Sequence, residues 1–276
     1  MSRFKGGNAV ITGGADGIGA AYALALADAG VNVAVLDVLQ DKAQETAAAV
    51  AARGIKSIAV AADVTDRESL AAAAEQVASD LGPVSLLIVN AGVGIGGGYI
   101  GASQRAVDWL FSVNIMGPIN TVRAFVSAML DGPAATLESG SRHVAFTASS
   151  ACFVQLDEGL AAYGASKKAM AGLAEGVRGE LAPKDIGVTV IYPGLVNTRI
   201  WDAARARPEK FGGPRNQPDE AGAYWRDEGM TVEHVADLAL AAIEAADPHC
   251  VVPDARTREN FDDMVQKLSD GFPKSA

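Results

Sequence analysis

Cysteine and histidine are scarce in this chain of 276 residues, which holds only Cys152 and Cys250, and His143, His234 and His249. Two cysteines make no disulfide framework, and that fits a reducing cytoplasm. The histidines are scattered and suggest no metal site. A basic excess is missing as well: 23 Lys and Arg face 33 Asp and Glu, a net charge of -10. That balance argues against nucleic acid or an anionic membrane as partner. No apolar run reaches the length of a membrane span. Residues 1–7 carry no apolar segment like that of a signal peptide.

What the chain does have is a large apolar fraction, 49%, ordinary for a globular protein with a sizeable core. Short β-type runs alternate with Ala-rich helical segments. Strands are expected near residues 9–12, 31–37, 56–62, 84–90, 143–149, 188–192 and 251–252. Helices are expected near 18–29, 41–53, 66–80, 161–181 and 232–246, several closed by a glycine such as Gly30 or Gly54. Residues 103–129 are helical with an interruption around Asn114 to Pro118. Residues 199–229 are irregular and polar, and a polar tail fills 256–276. This alternation predicts one α/β domain over residues 1–276, a doubly wound parallel sheet with helices on both faces.

The chemistry gathers at predicted strand ends. Thr12-Gly13-Gly14-Ala15-Asp16-Gly17-Ile18-Gly19 joins a strand to a helix. Glycines there let a pyrophosphate approach the backbone, with the helix N-terminus facing the anion. Asp37 ends the second strand, where an acid accepts hydrogen bonds from ribose hydroxyls and repels a 2′-phosphate, so NAD is favoured over NADP. Asp63-Val64 ends the third strand, as adenine contact or plain cap. Asn90-Ala91-Gly92 ends the fourth, where the Asn amide could pin adjacent strands. Ser149-Ser150 closes the fifth, and Pro193-Gly194 with Thr198 follows the sixth. Tyr163 and Lys167 lie four apart on one helical face. A lysine ammonium beside the phenol would bring the tyrosine toward a useful pKa.

Together these residues resemble the short-chain dehydrogenase/reductase family in its single-domain form. The agreement runs from about Lys5 to Thr198 and rests on Gly13, Gly17 and Gly19, on Asn90-Ala91-Gly92, and on Tyr163-x-x-x-Lys167. The resemblance implies a Rossmann-like α/β/α fold, with the cofactor half at about 5–115, the catalytic half at about 116–255 and a substrate lid at about 199–229. It implies hydride transfer between a secondary alcohol or ketone and NAD. Tyr163 would be the general acid/base and Lys167 would tune it and hold the nicotinamide ribose. A serine thirteen residues before the tyrosine, Ser150 rather than Ser149, would hold the substrate oxygen. Asn114 would offer its backbone carbonyl to a relay water. Asp16, Ile18, Asp37, Asp63, Val64 and Asn90 map onto the cofactor path, with Val196 and Thr198 near the carboxamide. Family members commonly form dimers or tetramers, so a cytoplasmic homodimer or homotetramer is expected. Ala165, Ala169, Ala171, Gly172 and Ala174 would let helices pack closely, either on a partner or on the protein's own sheet.

The lid region carries Trp201, Phe211, Tyr224 and Trp225, suited to a bulky, flat or apolar substrate or to subunit packing. Arg199, Arg205, Arg207, Lys210 and Arg215 read more simply as a solvated face than as a carboxylate site. Residues 205–212 and the amphipathic tail resemble a branch that includes bacterial dehydrogenases of benzylic alcohols in lignin-derived aryl ethers. Hydroxysteroids and other secondary alcohols compete. A non-catalytic NAD-binding regulator on the same fold, or a dinucleotide-dependent lyase or epimerase, are the readings from other classes.

Overall fold

The computed structural model describes residues 1–131, 141–153 and 159–272, so the last four positions of the predicted tail lie outside the described residues. Seven strands form one sheet in the order β3-β2-β1-β4-β5-β6-β7. They are β1 Asn8–Thr12, β2 Asn32–Asp37, β3 Ser57–Ala61, β4 Leu86–Val89, β5 Arg142–Thr147, β6 Ile186–Pro193 and β7 His249–Val252. Every pairing is parallel, with Ile11 opposite Val35 on one side and Ile88 on the other. The Val/Ile/Leu runs follow from this, since a parallel sheet is covered on both faces.

Alternate side chains of each strand enter two separate cores. Val10, Leu36, Leu87, Phe146 and Val190 pack under α3 Arg67–Asp80, α6 Gly117–Asp131 and α7 Ala161–Leu181, among Leu70, Phe125 and Met170. Ile11, Val35, Ile88 and Ile191 pack under α1 Gly17–Asp28, α2 Gln40–Ala51 and α9 Val232–Ala245, among Tyr22, Leu26, Val50 and Ile243. Burying each such side chain contributes about 1.5–3 kcal/mol, which holds the carboxyl ends of the strands in a fixed array.

Four segments refine the expectations. The interruption near Asn114 is a π-helical turn, Ser112–Met116, between α5 Gln104–Phe111 and α6. In the loop after β4, Gly98–Gly101 forms the short helix α4. The lid folds as three 3-10 turns followed by α8 Ala223–Glu228. Beyond β7 the expected polar tail is in fact a helix, α10 Thr257–Asp270. It is anchored by Phe261, whose ring meets Phe153 edge-on at 5.3 Å. On α7, Ala174 sits in the protein's own core whereas Ala169 and Gly172 are exposed.

Candidate active site

The glycine-rich turn is held in place from beneath. Gly13 adopts φ +63, and a Cβ there would come within 2.8 Å of Ala91 Cα. The Asn90 amide donates to the carbonyls of Thr12 at 3.2 Å and Gly13 at 3.0 Å, and the Thr12 hydroxyl accepts from the amides of Asn90 and Ala91. Asn90 thus ties the ends of β1 and β4 together. Gly19 is placed differently from its neighbours: it packs against the Gly13 carbonyl, where a Cβ would overlap, and lies off the wall of the cleft. Its part is to let α1 approach the turn.

A cleft of about 830 Å³ opens at the carboxyl edge of the sheet. Its walls include Gly13, Asp16, Gly17, Ile18, Asp37, Asp63, Val64, Asn90, Ala91 and Gly92 from the first half. Ser149, Ser150, Tyr163, Lys167, Pro193, Gly194, Val196 and Thr198 line it from the second. The topology brings them together: all but Tyr163 and Lys167, which α7 carries, lie at or soon after the end of a parallel strand.

Asp37 is fixed by amide donors from Ala15 at 3.2 Å and Leu39 at 3.0 Å. Burial raises its pKa; these hydrogen bonds and the Arg205 cation oppose the rise. Asp63 accepts from the Thr65 amide at 2.8 Å, closing a turn at the cleft wall. Asp16 caps α1, accepting from the Gly17 amide at 2.8 Å.

Asn114 is fully buried and absent from the cleft wall. Its amide group exchanges two hydrogen bonds with the Val93 backbone, at 2.9 and 3.0 Å, and donates to Ser166 Oγ at 2.9 Å. Ser166 in turn donates to the Tyr163 carbonyl at 2.6 Å. The π turn therefore connects the loop after β4 to the turn of α7 that bears Tyr163.

Lys167 is buried, and its ammonium donates to the Thr147 carbonyl at 2.9 Å. It lies 6.0 Å from the centre of the Tyr163 ring. Burial lowers the Lys167 pKa to about 8. Burial also pushes Tyr163 up to about 12, against the pull of a hydrogen bond with the Ser149 side chain. The expectation that Lys167 alone draws the phenol down is thus not met in the free protein. The cation faces the ring while desolvation acts on the hydroxyl, and desolvation wins. Ser149 is also the residue that reaches Tyr163, although the spacing count selects Ser150, which lines the same cleft.

The lid accounts for three of its four aromatics at the cleft: Trp201, Tyr224 and Trp225 line it, whereas Phe211 packs on the core. Of the five basic residues Arg199, Lys210 and Arg215 are exposed, as a solvated face requires, whereas Arg205 and Arg207 are half-buried. Arg199 pairs with Asp202, Arg205 with Asp16 at 2.9 Å, and Arg207 lies over the Trp109 ring. Lys210 donates to the Thr65 hydroxyl at 3.2 Å. Asp254 also escaped the sequence reading. It accepts from the Leu195 amide at 2.9 Å, fixing the turn after Gly194, and its Asp-x-x-Thr spacing to Thr257 was the available signal. Among the described residues there is no cluster of His, Cys, Asp or Glu able to hold a metal ion. No helix among them is long and apolar enough to cross a membrane.

Comparison with known proteins matches the short chain dehydrogenase family model over residues 7–209. The "Probable oxidoreductase EphD" of Mycobacterium tuberculosis is 31% identical over 89% of this chain, which spans about two fifths (41%) of that relative's length. The "C alpha-dehydrogenase" of Sphingobium is 30% identical over 98% of this chain and 88% of its own length. A solved short chain dehydrogenase/reductase from Burkholderia phymatum, in complex with NAD, superposes with a TM-score of 0.86 at 29% identity, covering both chains fully. The parallel sheet, the glycine turn joined to Asn90, and Tyr163 with Lys167 at one cleft agree with these matches: the chain belongs to the short chain dehydrogenase family.

Proposed function

We propose that the protein is an NAD-dependent oxidoreductase that moves a hydride between a secondary alcohol or ketone and the nicotinamide, with Tyr163 as general acid/base. The observation that carries this is the shared cleft, which joins Tyr163 and Lys167 to the glycine turn and Asp37. Residues of about 5–115 would hold the adenosine end. Asp37 would take the ribose hydroxyls, Asp63 and Val64 the adenine, and Gly13, Asp16, Gly17 and Ile18 the pyrophosphate. In the half at about 116–255, Val196 and Thr198 would take the carboxamide. When bound, the dinucleotide supplies the hydride donor or acceptor.

The chain's own residues would handle the proton. Tyr163, neutral at pH 7 with a pKa near 12, is set to donate its phenolic proton to a substrate oxygen. Ser150, with Ser149 beside it, would hold that oxygen. Lys167, with a pKa near 8, would return the proton by way of a water on the Asn114 backbone carbonyl. Trp201, Tyr224, Trp225 and Leu160 around the opening favour a bulky, aromatic or otherwise apolar alcohol, and a benzylic one is the first candidate. Hydroxysteroids and other secondary alcohols are the competing class. The proposed assembly is a cytoplasmic homodimer or homotetramer.

An absorbance screen for NADH formation across aryl, steroidal, sugar and aliphatic secondary alcohols, with NAD and NADP in parallel, tests the reading. Tyr163→Phe is expected to lose about a hundredfold to ten-thousandfold in kcat, the range for removal of a general acid/base. Activity near wild type in that variant would refute the assignment and favour a cofactor-binding regulator.

A further inference from the structure

Arg205 reaches from the lid to the far side of the cofactor cleft. Its Nη2 donates to Asp16 Oδ2 at 2.9 Å, linking residues 189 positions apart. Its Nη1 donates to the carbonyls of Arg199 at 3.1 Å and Asp202 at 3.0 Å, so the lid backbone itself aims the guanidinium. The side chain is 17% exposed, and its Nε is buried with no partner. A planar fork of five donors is therefore held rigidly with capacity to spare.

The surrounding charges say what that capacity is for. Asp16 and Asp37 both face the cleft, and Asp16 caps the helix whose N-terminus would receive a pyrophosphate. Two carboxylates beside a doubly charged pyrophosphate repel it unless a cation stands between them. The glycine turn supplies none. In the described structure Arg205 stands on Asp16, and Lys210, farther along the lid, stands 3.9 Å from Asp63 at the adenosine end.

We propose that Arg205 is a dinucleotide-binding residue contributed by the lid, supplying the charge-assisted hydrogen bonds to the pyrophosphate that the acidic glycine turn cannot. This rests on the nicotinamide-cofactor reading above. It also couples the two halves of the active site: pyrophosphate binding would hold the lid down over the substrate. Arginine suits the task because its fork can bridge a carboxylate and a phosphate at once.

The test is binding, not turnover. NADH is titrated by its fluorescence, and ADP-ribose and adenosine by calorimetry, on the full chain and on Arg205→Gln and Arg205→Lys. Wild-type protein that fails to bind NADH would overturn the cofactor reading itself, separately from this inference. With wild-type binding in hand, Arg205→Gln is expected to weaken NADH and ADP-ribose about tenfold, the loss of one charge-assisted contact, with adenosine unchanged. Arg205→Lys is expected to recover part of the loss, and it decides the matter should the glutamine variant not fold. Unchanged affinity for ADP-ribose would overturn the proposal. So would equal weakening of adenosine, which marks a purely structural latch.

Discussion

The imidazole of His143 should make this fold acid-sensitive without touching the active site. It lies fully buried at the amino end of β5, on the opposite edge of the sheet from the cleft. Its tautomer follows from its neighbour. Thr189 spends its one hydroxyl proton on the Asp247 carbonyl at 2.7 Å, so His143 Nε2 must be the donor in the 2.8 Å contact with Thr189 Oγ1. Nδ1 is then an acceptor with no partner, pressed against Gly187, where a Cβ would overlap the ring. Protonation would bury a charge and an unpaired N–H together, beside the cations Arg3 and Arg178. Burial first, and those charges second, lower the pKa from 6.5 to about 3. The sign is set by the unfolded chain, which takes up a proton below pH 6.5 while the native protein does not. Stability is therefore unaffected above that pH and falls on acidification, by about 2 kcal/mol at pH 5 and about 5 kcal/mol once pH passes below 3. Against a typical total of about 5–15 kcal/mol, the loss at pH 5 is readily measured. Urea midpoints of wild type and His143→Gln at pH 7.5 and pH 5 provide the assay. The variant is expected to start less stable but to lose about 2 kcal/mol less between the two pH values. Equal losses in both proteins would refute the argument.

Other sites give equally direct expectations. Asn114→Ala strands the Val93 amide and carbonyl and frees Ser166, so it should cost about 2–4 kcal/mol in urea unfolding as well as most of the activity. Gly19→Ala drives a methyl into the Gly13 carbonyl and should raise the cofactor KM sharply by displacing the turn. Full affinity in that variant would contradict the packing described. Asp37→Ala removes the group proposed to repel a 2′-phosphate, and the ratio of kcat/KM for NAD over NADP should fall by about tenfold, as steady-state kinetics with both cofactors would show.

Much of the frame was legible because each strand is a short apolar run and each helix is Ala-rich. Residues 161–181 match α7 end to end, since the period of its apolar positions and its flanking residues agree. The helix in the amphipathic tail was less legible because α10 is polar on most of its surface, and the ring contact of Phe261 with Phe153, 108 positions away, is one that no local pattern announces. Motif spacing found the polar and glycine positions of the cleft wall at the strand ends, because in a parallel sheet a strand's carboxyl end is also a position in the site, and it missed apolar lining such as Trp109, Val113 and Leu160. Spacing does not report dielectric. Tyr163 and Lys167 sit four apart in solvent or in a core alike, yet burial separates their pKa values to about 12 and about 8. That separation bears on direction. A phenol protonated at neutral pH carries the proton a carbonyl oxygen would take, although burial makes it the weaker acid for that transfer. As a base toward an alcohol it needs positive charge beyond Lys167, and the Arg205 cation of the same cleft is already paired with Asp16. On the proposed function the needed charge would arrive with the oxidised nicotinamide, so alcohol oxidation would depend on the bound cofactor.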